Sequence, residues 1–576
     1  MRQSHHLEPR ALPSHAGNPQ EDIEDGDEEE ADETKALLSQ AGADRSHSGD
    51  YEASSLADVK GPREFLKNLE YHFGYKLLVS LFAIQHALKG FGLSFVQPAV
   101  QYLLASYQVT GPQIQVFQGL IGLPWAMKPV IGLMSDAVPL FGFKKGPYMV
   151  LVTLSGMSAL AIVGRMPHEM LSLRALVFCL FLVHLQCSTC DLLSEALFAT
   201  KIQAIPKQGP ALMTYVWFGI QVGTVMAALF CGPVMQHFGI KAPFLVALVP
   251  ASLILAPIAR GYLEEKQISA EDLSSIRKKL WEQSEACFLC FVMFAGTLVM
   301  SFVGITYHNV FVNAATSMAV AVVILLCFSF LLRPEIAKVN AFFVIQTSAA
   351  FQVTGASFYF YTDTPLQFKD GPHFSMWFYT SVLNTTGAVF SLVGILLYQR
   401  YATEWKYQSL LVVSNLLLST LSFSDVILFA GLNRHFGIPD KFFVLGASVL
   451  TEMVKQWQWM PGIVIISQIC PKGMEAIMYS LLAGCHNLGN NVATTGGALV
   501  LELLDCRPSG AINETDQFKY LWAASALSCF LPMATVMLIP FLIPDAKQTD
   551  RLIQEDEHNA TRGSLLRRLM GTDDKR

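Results

Sequence analysis

One feature recurs fourteen times along this chain: an apolar run of about twenty residues, the length a helix needs to cross the hydrocarbon of a bilayer. The runs lie near 77–104, 113–134, 147–164, 173–199, 211–235, 242–260, 287–306, 309–332, 339–361, 375–398, 408–430, 441–467, 476–503 and 519–543. Lipid offers no partner to a backbone N–H or C=O, so runs of this length satisfy their polar groups internally, as α-helices. Composition agrees: 52% of the residues are hydrophobic, 15% are charged, and mean hydropathy is +0.39. The expectation is an all-α polytopic membrane protein whose first partner is the lipid bilayer. A net charge of −6 lies largely in one tail, and no basic domain or recognition motif points to nucleic acid.

The first six and last six runs read as copies. Gly111-Pro112 before the second run recurs as Gly371-Pro372 before the tenth. Pro206-Lys207 before the fifth recurs as Pro471-Lys472 before the thirteenth, and Ala211-Leu212-Met213 recurs as Ala476-Ile477-Met478. Runs seven and eight have no counterpart and read as an insert between two six-helix halves. The chain then divides into an acidic tail (1–62), a first half (63–260), a linker (261–286), two inserted spans (287–333), a second half (334–545) and a second tail (546–576). Ser269-x-x-Asp272 in the linker is a capping box for a short helix that ends in Arg277, Lys278 and Lys279.

Residues 1–62 contain no apolar run and hence no signal peptide. Glu21 to Glu33 is a solvated acidic stretch, and Glu33, Leu37 and Leu38 match the acidic dileucine pattern that sorting adaptors read in cytosolic tails. Lys and Arg favour the loops on the side of the tails, which puts both termini in the cytosol. Asn513-Glu514-Thr515 then falls outside as a glycosylation sequon, Asn384 lies within a span, and Asn559 lies in the tail. The eleven cysteines sit mostly in apolar runs; Cys187-x-x-Cys190 and Cys287-x-x-Cys290 read as small buried residues, and neither metal nor cofactor is expected.

The polar residues within the runs are the candidate site. An ionised group in hydrocarbon is expensive and is kept for a pair, a cavity or a function. Lys89 sits in the first run beside Gly90, Gly92 and His86; it meets an anionic substrate group or pairs with Asp191. The fourth run carries His184, Asp191 and Glu195, whose spacings put them on one helix face. Two neighbouring acids allow one to hold a proton, as proton coupling needs; the alternative is a fixed pair with Lys128 or Lys89. The twelfth run carries Glu452, Lys455, Trp457 and Trp459: a substrate-binding group with an aromatic platform, or a self-neutralised pair and an interface anchor. The thirteenth holds His486, Asn487, Asn490 and Asn491, whose amides match a heterocycle edge or bond neighbouring helices. Asp363 and Asp425, towards helix ends, read as solvated mouth residues.

The second run is the most specific stretch. It contains Pro124-Trp125-x-x-Lys128-Pro129-x-x-Gly132-x-x-Ser135-Asp136, followed by Gly142, Lys144 and Lys145. The end of this pattern resembles the loop signature of the major facilitator superfamily. The longer pattern resembles the folate–biopterin transporter family, especially its members from kinetoplastid-type parasites, and the likeness runs from about Tyr75 to Pro544. The resemblance implies the major-facilitator fold and alternating access. It implies folate or biopterin as substrate with proton symport, and an acid pair in the fourth span. It also implies a gating role for Lys128, Gly132, Asp136, Lys144 and Lys145, with Asp136 latching the inner gate against the loop bases and the start of the thirteenth span after Lys472. Lysines at 144 and 145 stand where arginines are more usual, which keeps the charge and weakens bidentate pairing. A carrier of S-adenosylmethionine or another small metabolite, and a membrane nutrient sensor, remain open. A membrane enzyme finds no nucleophile–base motif or nucleotide loop. The plasma membrane is the expected location, with an endolysosomal pool through the dileucine pattern.

Overall fold

The computed structural model describes residues 61–570, apart from 206–207, 283, 403, 471–474, 549, 551, 553–560 and 562. The acidic stretch, the dileucine pattern, Pro206-Lys207, Pro471-Lys472 and Asn559 lie outside the described residues. Fourteen helices occupy the fourteen apolar runs. They are α1 Tyr75–Ala105, α2 Gly111–Ala137, α3 Gly146–Arg165, α4 Leu173–Ala204, α5 Gly209–Phe238, α6 Ala242–Ala259, α7 Ser284–Thr306 and α8 Val310–Leu331. There follow α9 in two pieces, Pro334–Ala349 and Thr354–Thr362, then α10 Phe378–Tyr401, α11 Tyr407–Phe429, α12 Asp440–Gln468, α13 Glu475–Leu503 and α14 Thr515–Leu542. Among the described residues, eleven helices are long and apolar enough to cross a membrane; α9, α12 and α13 fall short of that measure. The shortfall has a plain cause. α9 is broken after Ala349, and α12 and α13 carry Glu452, Lys455, His486 and the asparagines singled out above.

Packing reproduces the repeat in space. In the first half α1 packs on α5, α2 on α4, and α3 on both α4 and α6; in the second, α9 packs on α13, α10 on α12, and α11 on both α12 and α14. The α7–α8 hairpin is the insert, and it lies along α2, α9 and α13, over the seam between the halves. Its turn is short because Asn309 caps α8, accepting the Val312 N–H at 3.3 Å.

Close backbone approach explains the glycines of α1 and α5. A Cβ at Gly90 would stand 2.7 Å from the Ile220 carbonyl oxygen, and one at Gly223 would stand 2.7 Å from that of His86. α1 is wound as a π-helix over Phe82–Leu93, a form concentrated at functional sites. In the linker the capping box is complete: Asp272 N–H donates to Ser269 Oγ at 3.1 Å, and Ser269 N–H donates to Asp272 Oδ2 at 3.0 Å, opening helix Ala270–Glu282.

An even number of spans returns the chain to one side, here termed the tail side. There, Glu265 accepts the N–H groups of Lys145 and Gly146 at 2.7 and 2.8 Å, so the segment after α6 holds the α2–α3 loop. The segment after α14 does the same in the second half: Gln548 Nε2 donates to the Ala402 carbonyl at 2.7 Å, and Lys406 pairs with Asp545 at 2.9 Å.

Candidate functional site

α4 delivers its acids into the first half. Asp191 is 1% exposed and sits between two cations. Its Oδ1 accepts from Lys89 Nζ at 2.7 Å and from Gln85 Nε2 at 2.9 Å, and its Oδ2 accepts from Lys128 Nζ at 2.6 Å. Lys128 also reaches Glu195 Oε2 at 3.2 Å. Two ammonium groups and two carboxylates therefore form one neutral cluster built from α1, α2 and α4. In this conformation both lysines are engaged by Asp191. Gln85 and Lys89, four residues apart, stand on one face of α1 and share one carboxylate oxygen of Asp191. Lys128 is placed by a break in α2, which tightens to a 3₁₀ turn over Leu123–Trp125 and restarts at Lys128 with Pro129. Proline at that position lacks an N–H that the helix start leaves unpaired anyway.

Trp125 closes the cluster. Its ring lies 5.8 Å from Lys89 Nζ and 5.1 Å from Lys128 Nζ, and its indole N–H donates to His184 Nδ1 at 3.2 Å. The Trp125 carbonyl accepts from Asn487 Nδ2 at 3.2 Å, which joins the cluster to α13. Asn491 likewise donates to the Gly119 carbonyl at 2.7 Å. These two asparagines stitch α13 to α2 in this conformation, the helix–helix alternative of the sequence reading.

In the second half, His486 Nδ1 lies 3.1 Å from Thr347 Oγ1, and its ring is 4.9 Å from that of Trp459. Glu452 and Lys455 pair with each other at 3.4 Å, and Glu452 lies against Gly387 of α10. Trp457 donates to the Gly394 carbonyl at 3.1 Å and packs α12 onto α10. Three groups escaped sequence reasoning. Gln85 is the first. The second is an amide cluster in which Asn415 Oδ1 accepts from Gln458 at 2.6 Å and from Gln346. The third is Trp217 of α5, whose ring lies 5.6 Å from Lys89 Nζ. Amides and an indole in apolar runs were the available signal, but such residues are too common to stand out.

Of the gating group, Asp136 pairs with Lys144 at 3.8 Å, and Lys145 is held through its backbone by Glu265. A Cβ at Gly132 would meet Leu192 at an ordinary 3.5 Å, so packing alone does not demand glycine there. The expected partner at the start of α13 falls among residues 471–474, outside the described residues. Asp363 corrects the sequence reading: it is 5% exposed rather than solvated, with Oδ2 lacking a hydrogen-bond partner. Burial, with Glu514 nearby, pushes its carboxyl up to about 7. Asp425 and Asn513 are exposed. All eleven cysteines are free, and no group of side chains suited to a metal occurs among the described residues.

The halves meet tightly on the far side. Gly111 N–H donates to the Pro508 carbonyl at 2.8 Å, and Tyr359 Oη–H donates to that of Val109 at 2.6 Å. Gln115 Nε2 donates to the carbonyls of Gln352 and Thr494 at 2.8 and 3.0 Å, while its Oε1 accepts the Gly355 N–H at 2.9 Å.

A duplicated helical bundle with paired charges at membrane depth, joined along one side by hydrogen bonds between its halves, defines a transporter of the major-facilitator architecture. Solved structures share that fold. The peptide transporter POT in complex with sulfate superposes with a TM-score of 0.58 at 14% identity, over 82% of this chain and 96% of the other. A D-xylose–proton symporter gives 0.51 at 12% identity, over 82% and 97%. The family model of the BT1 family matches residues 89–562, and the chain belongs to that family, the folate–biopterin transporters. It is similar to the probable folate-biopterin transporter 6 of Arabidopsis thaliana, at 23% identity over 86% of this chain and 88% of the relative. The folate-biopterin transporter of Synechocystis sp. is 25% identical over 83% and 84%, and folate transporter 2 of Plasmodium falciparum is 22% identical over 79% and 85%. The chain is thus a multi-pass membrane transporter and not an enzyme.

Proposed function

We propose that this transporter moves folate, biopterin or a related pteridine across the plasma membrane by alternating access, coupled to protons. The observation that carries the reading is the neutral Lys89–Asp191–Lys128–Glu195 cluster, buried in a member of a family whose relatives are named for folate and biopterin. Charges held at that depth are suited to exchange partners with a solute or a proton. Glu195, with 31% of its side chain exposed, is the proton entry point; its neutralisation leaves Lys128 to Asp191 alone. Lys89, His184, Glu452, Lys455, Trp459, His486, Asn487 and Asn491 supply substrate contacts, the asparagines once the seam to α2 opens. Lys128, Gly132, Asp136, Lys144 and Lys145 form the tail-side gate. The far-side hydrogen bonds support a state closed on that side; with the termini in the cytosol this state faces inward, Asn513 lies outside for glycosylation, and the dileucine pattern belongs to the cytosolic side that sorting adaptors read, with an endolysosomal pool.

The test is uptake of labelled folate, biopterin and S-adenosylmethionine by cells expressing the chain, at two external pH values. Pteridine uptake that rises at the lower pH is expected. Uptake of S-adenosylmethionine alone would replace the substrate reading, and pteridine binding without concentrative uptake would favour a nutrient sensor.

A further inference from the structure

Three donors reach the Asp191 carboxylate, and they are not equivalent. Lys128 is clamped between Asp191 and Glu195, with 9% of its side chain exposed. Lys89, with 20% exposed, touches Asp191 alone among the acids of the described residues, and its ammonium is flanked by the rings of Trp125 and Trp217 at 5.8 and 5.6 Å. Trp217 is 39% exposed, so the indole beside Lys89 presents open surface in mid-span. Gln85 is 1% exposed; its Nε2 is shared between Asp191 and Ser194 Oγ at 2.9 and 2.8 Å, and its Oε1 has no partner. If Lys89 turned away, Asp191 would keep both an amide donor and an ammonium.

We propose that Lys89, Trp125 and Trp217 form the subsite for the aroyl-glutamate end of folate, with Gln85 as the positioning residue that retains Asp191 when Lys89 turns to the ligand. The proposal rests on the pteridine reading above and deepens it by assigning one end of the substrate to one half of the protein. Folate carries its carboxylates on a glutamate joined by an amide to a benzoyl ring, not on the pterin. An ammonium between two indoles matches that end: charge for the carboxylate, flat faces for the benzoyl ring. Biopterin has neither group and would not use the subsite.

Competition against labelled folate uptake tests this directly. In the unaltered protein p-aminobenzoylglutamate should inhibit, and biopterin should inhibit independently. Trp217→Leu should raise the KM for folate about tenfold, the order expected for losing one aromatic stack, and abolish inhibition by p-aminobenzoylglutamate. Its biopterin KM should stay within about twofold, which also reports that the variant folds. Trp217→Phe, which keeps a ring, should recover most of the folate affinity. Gln85→Leu should raise the folate KM and spare that of biopterin; equal loss for both would reduce Gln85 to a structural role. Failure of p-aminobenzoylglutamate to compete in a protein that transports folate would overturn the subsite alone, as would equal effects of Trp217→Leu and Trp217→Phe. Uptake of neither pteridine by the unaltered protein would overturn the pteridine reading and the subsite together.

Discussion

Lys128 is the residue on which the charge balance of the first half turns. It bonds Asp191 at 2.6 Å and Glu195 at 3.2 Å, so its loss leaves one ammonium, Lys89, facing two carboxylates in hydrocarbon. Removing one partner of a buried pair costs about 3–5 kcal/mol, mainly because the remaining charge is stranded. Lys128→Gln should therefore lower the melting temperature in detergent sharply. Adding Glu195→Gln restores one cation to one anion, and the double variant should regain at least half of the lost stability. A double variant no more stable than Lys128→Gln alone would show that the cluster is not held by neutrality. The α4 side of this arrangement was legible in advance, because residues seven and four apart on a helix share a face. Which lysine met which acid was not, since Lys89 and Lys128 lie on other helices and both pairings were open. Gln85 was passed over although it stands four residues before Lys89 on the same face of α1, because an amide in an apolar run is too common to stand out.

Among the elements, the ends behave differently from their apolar bodies. The start of the linker helix could be read from sequence, because a capping box is a local hydrogen-bond pattern that tertiary structure need not supply; its end reads as Lys279 in the sequence, and the helix runs on to Glu282. The end of α9 could not: Asp363 looks like a mouth residue, yet it is buried, with Glu514 of the α13–α14 loop near enough to act on its charge. Burial raises its carboxyl from the ordinary value near 3.8 to about 7, with a definite sign for stability. Between those values the folded state holds a proton that the unfolded state has released, so stability falls as pH rises, by up to about 1.4 kcal/mol per unit, and levels off above about 7. Asp363→Asn removes the ionisable group. It should raise the melting temperature at pH 8 and leave it nearly unchanged at pH 4; an equal gain at both would mean the carboxylate is not the source. At the tail-side end of α2, Asp136 faces Lys144 across 3.8 Å with much of its carboxylate in solvent. An exposed pair of this kind contributes roughly 0–1 kcal/mol to stability. Asp136→Ala should then express and fold normally but transport more slowly, and unimpaired uptake by a well-expressed variant would remove the gating role.

At the scale of the molecule, the duplication was legible from recurring Gly-Pro and Pro-Lys pairs, because each half must solve the same packing problem. The site of the insert was legible only along the chain; that α7 and α8 lie over the α2–α13 seam depends on helix faces that a uniformly apolar run does not mark. Nor did any motif announce where the halves close. That is decided by backbone contact on the far side, where a Cβ at Gly355 would stand 1.9 Å from the Gly111 carbonyl oxygen, beside the Gln115 hydrogen bonds. No side chain can move aside there, because the obstacle is backbone. Gly355→Ala must part the two halves at this point or be refused by the fold. If the halves rock about a central site, a methyl group in the closed seam should disfavour the far-side-closed state and spare its counterpart. Spin labels placed through cysteines at Gln108 and Leu366, both exposed and on opposite halves, would read the change. Gly355→Ala should shift their distance distribution to longer values and slow uptake, while the protein still reaches the membrane. A distance distribution that does not move, in a variant that folds, would mean that this seam is a permanent joint and that the halves do not part here during transport.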